Sequence, residues 1–272
     1  MFDFFKKNKV AFVIPVYPPH FLYAFQLLNS WYKFNIYKTS DIYFVFTNEK
    51  EERELRKIRN DFKSIIIPEN LRIFKNRGII NIKKIYGISV LHREYKYLIT
   101  LDAESEFTNS INVYSVCKDF FSKKILIGNN VVGPKKEFID KIKESCKMFY
   151  DKDIIKNIGS ELYLWFNQPC IYDSDNIYDF LKTTDLLSIK SIAKLCWFDF
   201  DYYIYMYYLQ IREHFRVVDI GIDSPLGAFE VPFIYLKIKN KLYKKIPIYM
   251  CSRSSYYYFN NIYLFLLIHK DR

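Results

Sequence analysis

The feature that most constrains this chain is an alternation in its first half between short β-branched runs and stretches of helical period. "VAFVIPV" (10–16), "IYFVFT" (42–47), "SIIIP" (64–68) and "KYLITL" (96–101) are each apolar, short and bounded by polar or turn residues, the pattern of strands buried on both faces. Between the first two, Phe21, Ala24/Phe25, Leu28 and Trp31/Tyr32 recur at helical spacing after the turn "YPPH". After the second, Asn48 stands where an N-cap belongs, with Glu51 three residues on and Leu55, Ile58 and Phe62 as the expected buried stripe. "NIKKIYGISVLH" (81–92) predicts the helix that leads into the fourth strand. Strands separated by helices predict an α/β fold with a mostly parallel sheet covered on both faces.

The second half continues less regularly. A helix near 110–122, a strand "KILIGN", an amphipathic helix from Lys135 to Phe149, a strand "ELYLWF", a polar loop over 165–175, an aromatic helix from about Asp201 and a strand "FRVVDIG" are expected in that order. Residues 233–250 look like a basic hairpin. From Ile234 to Arg272 eight Lys and Arg face one acid, Asp271, so 233–272 is predicted to be a basic, aromatic appendage to a domain spanning 1–232. No internal repeat or Gly/Ser-rich linker divides that domain.

Bulk properties narrow the partners. The formal charge of +11 favours an anionic one: a nucleotide, a nucleic acid or an acidic membrane surface. Aromatic content of 19% adds little, because a coding bias that enriches Lys, Ile and Asn would raise Tyr and Phe as well. Cys117, Cys146, Cys170, Cys196 and Cys251 include no C-x-x-C pair, so reduced thiols are expected and a zinc site is not. With no signal-peptide pattern at "MFDFFKKNKVAFVIP" and no apolar run long enough to span a bilayer, the expectation is a cytoplasmic protein.

In parallel sheets of this kind ligands bind beyond the carboxyl ends of the strands. Tyr17, Thr47, Asn48 and Asp102 should gather there. Asp102 and Glu104 follow the fourth strand one residue apart, so on an extended chain they share a face. They are either a polar strand end or a site for a hard divalent cation, Mn²⁺ or Mg²⁺, which takes carboxylate and phosphate oxygens. Asp199 and Asp201 form a second pair inside "CWFDFDYYIYMYY", where an aromatic setting desolvates a carboxylate and suits it to act as a general base. Either one also fits a helix N-cap.

The order of "FVIPVY", "IKKIYG", "YLITLDAE" and "WFDFDYYIYMYYL" followed by "FRVVDIG" resembles glycosyltransferases of the GT-A fold, over roughly residues 10–221. The resemblance implies a donor half over about 1–130 and an acceptor half over about 131–232. It implies a nucleotide-sugar site at Val16, Tyr17, Thr47, Asn48, Lys83, Lys84 and Asp102, with Glu49 nearby, and a metal on Asp102 and Glu104. D-A-E departs from the family's D-x-D by its longer second carboxylate. Asp201, and after it Asp199, would receive the acceptor's proton, with inversion favoured over retention. Asn167, Gln168 and Trp197 would face a saccharide or lipid-linked glycan acceptor, and the basic tail would touch an anionic membrane surface. His269 would be a distant third metal ligand or, more simply, a tail residue.

Two other readings compete. A nucleotidyltransferase shares the sheet and the acidic pair but usually carries a Gly-rich phosphate loop, whereas no glycine precedes Gly78 here. A nucleic-acid-binding protein would use the basic aromatic surface and have no need of Asp102. No helix-turn-helix, zinc-finger or RNA-binding signature supports it, and no nucleic-acid partner is expected.

Overall fold

The fold is described from a computed structural model, over residues 9–72, 78–107, 110–128, 136–156, 158 and 170–219. The chain runs β1 (Val10–Pro15), α1 (Phe21–Lys33), β2 (Asp41–Phe46), α2 (Glu49–Ile58), β3 (Lys63–Ile66), α3 (Ile79–Leu91) and β4 (Tyr97–Thr100). It continues through α4 (Val113–Lys123), β5 (Ile125–Gly128), α5 (Lys136–Lys147), α6 (Lys152–Ile155), β6 (Cys170–Asp173) and α7 (Ser174–Thr183). The last described elements are α8 (Ile189–Ile192), α9 (Asp201–Arg212) and β7 (Arg216–Asp219).

Five strands form one sheet in the order β3-β2-β1-β4-β6. β1 is parallel to both neighbours, pairing Ala11 with Asp41 on one side and Val10 with Tyr97 on the other. All six of its residues are buried, which is why its sequence is apolar without alternation. At the edge, β3 is exposed or half-buried along its length and opens on Lys63, a charge that discourages further pairing. The α/β architecture with a mostly parallel sheet is therefore as expected.

Three local expectations change. Residues 170–173, expected within a polar loop, are β6, which runs antiparallel to β4. Its apolar core "CIY" is too short to signal itself, yet Ile171 and Tyr172 are almost wholly buried. β5 and β7 pair in parallel as a separate two-stranded sheet. Ile58, placed on the buried stripe of α2, is 57% exposed, while Leu55 and Phe62 are buried.

Several helix starts are set by local chemistry. Asn48 Oδ1 accepts Glu51 N–H at 3.0 Å, and Glu51 Oε2 accepts Thr47 N–H at 2.8 Å, so the cap and the glutamate satisfy reciprocal backbone donors. α2 then places acids in its first turn and Arg56 and Lys57 in its last, as the helix dipole favours. α3 is apolar on nearly every side and lies on β1 and β2. A Cβ on Gly87 would come within 2.5 Å of Val13 Cγ1, so the glycine allows that close approach. α9 is buried from Asp201 to Leu209, which makes its tyrosines core residues and not the exposed aromatic wall that sugar binding would use.

Cys117, Cys146 and Cys170 are buried free thiols, Cys196 a half-buried one. No described helix is long and apolar enough to cross a membrane. The strand expected at 161–166, Asn167, Gln168, the hairpin at 233–250, His269 and the boundary near residue 232 lie outside the described residues.

Candidate functional site

The strand order reverses between β1 and β4: the chain builds outward through β2 and β3, then returns to the other side of β1. Ligands of open α/β sheets bind at such a switch point, beyond the carboxyl ends of the strands. Three buried polar chains organise that end of the sheet here.

The first joins β1 to β2. Lys83, 2% exposed on α3, donates to Val16 O at 2.5 Å and lies 3.6 Å from Glu51 Oε2. Glu51 in turn holds Thr47 N–H. Burial pushes the Lys83 ammonium down to about 8, and Glu51 only partly offsets this. Thus Thr47 and Asn48 lie at the end of β2, and Lys83 with Glu51 links them to Val16 beyond β1. Lys83, expected on the helix face, is instead an internal brace.

The second joins β4 to α9 and β6. Lys84 Nζ lies 2.8 Å from Asp102 Oδ1 and 3.5 Å from Asp201 Oδ1. The other Asp201 oxygen accepts Thr100 Oγ1–H at 2.7 Å and Tyr172 O–H at 2.8 Å. Burial works against the Lys84 charge, but Asp102 and then Asp201 outweigh it and hold the ammonium well above the ordinary lysine range. Asp201 is fully buried and Asp102 is half-buried, with its side chain 19% exposed. Asp201 also opens α9, where the helix dipole favours negative charge. Among the described residues Asp201 Oδ1 accepts no hydrogen bond and faces the Lys84 ammonium. The two carboxylates expected to do separate work therefore converge on one lysine.

The third joins β1 to the segment after β4. Tyr17 O–H meets His20 Nε2, and His20 Nδ1 lies 3.0 Å from Glu104 Oε1. β4 ends at Thr100, and Ser105 N–H closes a turn onto Asp102 O at 3.0 Å. Strand alternation therefore does not govern Asp102 and Glu104, and Glu104 is buried against His20.

Asp199 sits apart in role. Its oxygens accept Ser145 O–H at 2.5 Å and Cys196 N–H at 2.6 Å, which closes the turn before α9. Trp197 is half-buried, edge-on to Phe200 with ring centroids 6.2 Å apart. Sequence reasoning overlooked Thr100 and Tyr172, and gave His20, beside two prolines, no role beyond a helix start. Thr100 had a signal, the lone aliphatic hydroxyl in an apolar strand, directly before "LDAE". Tyr172 had none, as one of 25 tyrosines.

Among the described residues no group of three or more His, Cys, Asp or Glu side chains is placed to hold a metal ion. Asp102 alone fits as one carboxylate ligand for a cation that draws its remaining oxygens from phosphate and water.

No protein-family model matches the chain, and no curated protein matches its sequence. Among solved structures it is similar to S. aureus TarS 1–349, at 16% identity and a TM-score of 0.39 over 79% of this chain. It is also similar to the mannosyltransferase PcManGT from Pyrobaculum calidifontis in complex with GDP-Man and Mn²⁺, at 10% identity and a TM-score of 0.30 over 65% of this chain. The chain spans 59% and 51% of those two chains.

Proposed function

We propose that the chain is a glycosyltransferase that moves a sugar from a nucleotide-sugar donor to a saccharide or lipid-linked glycan, with Mn²⁺ or Mg²⁺ at the donor diphosphate. The observation that carries this reading is the Lys84–Asp102–Asp201 cluster at the switch point between β1 and β4. A half-buried carboxylate fixed by an internal ammonium is preorganised: it need not reorient when charge arrives, and solvent does not compete for its bonded oxygen. The bound cation would neutralise charge growing on the leaving diphosphate oxygen. Asp102 is the residue that would hold it. Lys84 keeps Asp102 in place, and Thr100 and Tyr172 keep Asp201 in place behind Lys84.

Asp201 is assigned a positioning role. A general base must come within hydrogen-bond reach of the proton it takes, and Asp201 is 0% exposed with one oxygen doubly occupied. Inversion, favoured on the strength of that base, is not part of the proposal. Membrane contact through residues 233–272 would serve a lipid-linked acceptor.

The test is thermal melting of the full chain against UDP-, GDP-, CDP- and dTDP-sugars, each with Mn²⁺ and with EDTA. A ligand at 100 times its Kd stabilises the folded state by about 2.7 kcal/mol. A rise with one nucleotide family that EDTA removes, and that Asp102→Asn loses, is the expected result. No rise with any donor, in folded protein, overturns the reading.

A further inference from the structure

The outer face of α1 carries no acid and keeps apolar side chains in water. Between Val16 and Ser40 the sequence has Lys33 and Lys38 but neither Asp nor Glu. Leu22, Phe25, Asn29 and Lys33 follow one another at helical spacing along the exposed and half-buried side of α1. The water-facing stripe of a surface helix is ordinarily polar and charged. This one opens on Leu22, 63% exposed, and meets its first charge at the last residue of the helix.

Beyond α1 the chain doubles back on itself. Asn35 takes a φ of 57°, the left-handed region that Asn tolerates, and the 3-10 turn Ile36–Lys38 follows. Tyr37, 42% exposed, returns to Tyr32 with ring centroids 5.3 Å apart. Lys33 and Lys38 lie over Phe34 and Tyr37 at 5.2 and 6.0 Å. Arg59 donates to Asn29 Oδ1 and covers Tyr32 at 4.9 Å and Phe25 at 5.7 Å. It thereby ties the end of α2, with Ile58 57% exposed, to the same surface. Asp61, at the border, is held by Arg59 through both its oxygens.

A basic, aromatic surface suits nucleic acid or an anionic bilayer, and the arrangement favours the bilayer. Single strands stack their bases on open ring faces. Here Arg59 covers Tyr32, and Tyr32 and Tyr37 lean on each other. Exposed aliphatic side chains add nothing to such stacking. At a bilayer surface all three classes find a place: aliphatic tips below the headgroups, tyrosines level with them, and lysines on the phosphates. We propose that the outer face of α1, with the turn Ile36–Lys38 and the end of α2, docks on anionic lipid. Leu22 and Ile58 enter the headgroup boundary, and Lys33 and Lys38 pair with lipid phosphate. This surface is separate from residues 233–272, and the proposal does not depend on the glycosyltransferase reading.

The test is flotation of the full chain with vesicles of phosphatidylcholine alone and with about 30% phosphatidylglycerol. The expected result is binding to the anionic vesicles that Lys33→Gln/Lys38→Gln weakens by about thirtyfold, the loss of two lysines near such a surface. Leu22→Gln/Ile58→Gln should weaken it by about tenfold through lost apolar contact. Thermal melting of each variant checks that the fold is kept. Lys244→Gln/Lys245→Gln makes the same charge change in the basic tail. A loss in that variant as large as in Lys33→Gln/Lys38→Gln assigns the binding to overall charge or to the tail, and overturns the proposal. So does unchanged binding in Leu22→Gln/Ile58→Gln, or wild-type protein that ignores anionic vesicles. A single-stranded oligonucleotide that binds in their place, and is lost with Lys33→Gln/Lys38→Gln, would give the face to nucleic acid. Each of these failures leaves the nucleotide-sugar melting test untouched, because none of the four α1 and α2 positions belongs to the switch-point cluster.

Discussion

Two adjacent lysines on α3 meet opposite fates, and the partners decide which. Lys84 has two carboxylates, which hold its proton firmly; Lys83 has one glutamate at 3.6 Å and a carbonyl, which do not offset its burial. Removing one member of a buried ion cluster leaves the others uncompensated, so Lys84→Met should cost about 3–5 kcal/mol in urea denaturation. Asp201→Asn is the more informative change. On the positioning role it lowers stability, donor affinity and transfer together; transfer lost with stability and donor affinity intact would make Asp201 the base after all. Lys83 carries a signature in pH. Its folded-state value of about 8 lies below its ordinary 10.5, so between those limits the unfolded chain binds more protons and stability rises with pH. The stability of wild-type protein relative to Lys83→Met should therefore climb from pH 8 to 10, measured by urea denaturation at each pH. A flat difference would mean that Lys83 keeps its proton when folded.

At the scale of elements, α3 is the part on which the site depends. It carries both lysines, packs on β1 and β2 through Gly87, and is tied at its start to the loop before α9. There Asn81 Nδ2 donates to Cys196 O at 2.9 Å, and a Cβ on Gly78 would fall 2.2 Å from Leu195 O. Gly87→Ala gains up to about 1 kcal/mol of helix propensity but must displace Val13 Cγ1 and crowd Val45 Cγ2 at 3.3 Å. The expected net result is destabilisation of about 1–3 kcal/mol, with weaker nucleotide binding by calorimetric titration because Lys83 and Lys84 move with the helix. Gly78→Ala meets backbone and should cost more. This dependence was half legible in the sequence. Two lysines inside "IINIKKIYGISVL" break an otherwise apolar helix, which is a signal of internal charge, yet helical period alone reads such residues as a solvated face. The strands β1 to β4 announced themselves because each is a short apolar run, rich in β-branched or aromatic residues, with polar or turn residues at its ends. β6 did not, since four residues beside "DSD" carry too little pattern. Asp102 was readable as a strand-end carboxylate. Its convergence with Asp201 was not, because the two lie far apart in sequence and only the packing of α9 against α3 and β6 brings them within reach of one ammonium.

For the molecule as a whole, charge is distributed in a way that separates the competing functions. The chain carries +11, and among the described residues the cluster at the switch point sets one ammonium, Lys84, between two carboxylates, Asp102 and Asp201. A net positive charge of this size draws anions towards the protein at long range. On the proposed reading a diphosphate would reach Asp102 through a divalent cation, and a pair held inside a partly desolvated site would be screened little by salt. Nucleic acid held by the basic surface would behave in the opposite way, because each neutralised phosphate releases a counterion and affinity falls steeply with salt. Titrating a nucleoside diphosphate and a single-stranded oligonucleotide across 50–300 mM NaCl, with Mn²⁺ and with EDTA, distinguishes the two. The expected result is nucleotide binding that needs Mn²⁺ and changes less than about threefold over that range, alongside oligonucleotide binding that is weak and lost with salt. Tight oligonucleotide binding that ignores EDTA and survives Asp102→Asn would place the function on the basic surface, and the carboxylate cluster would then be a structural brace for α9.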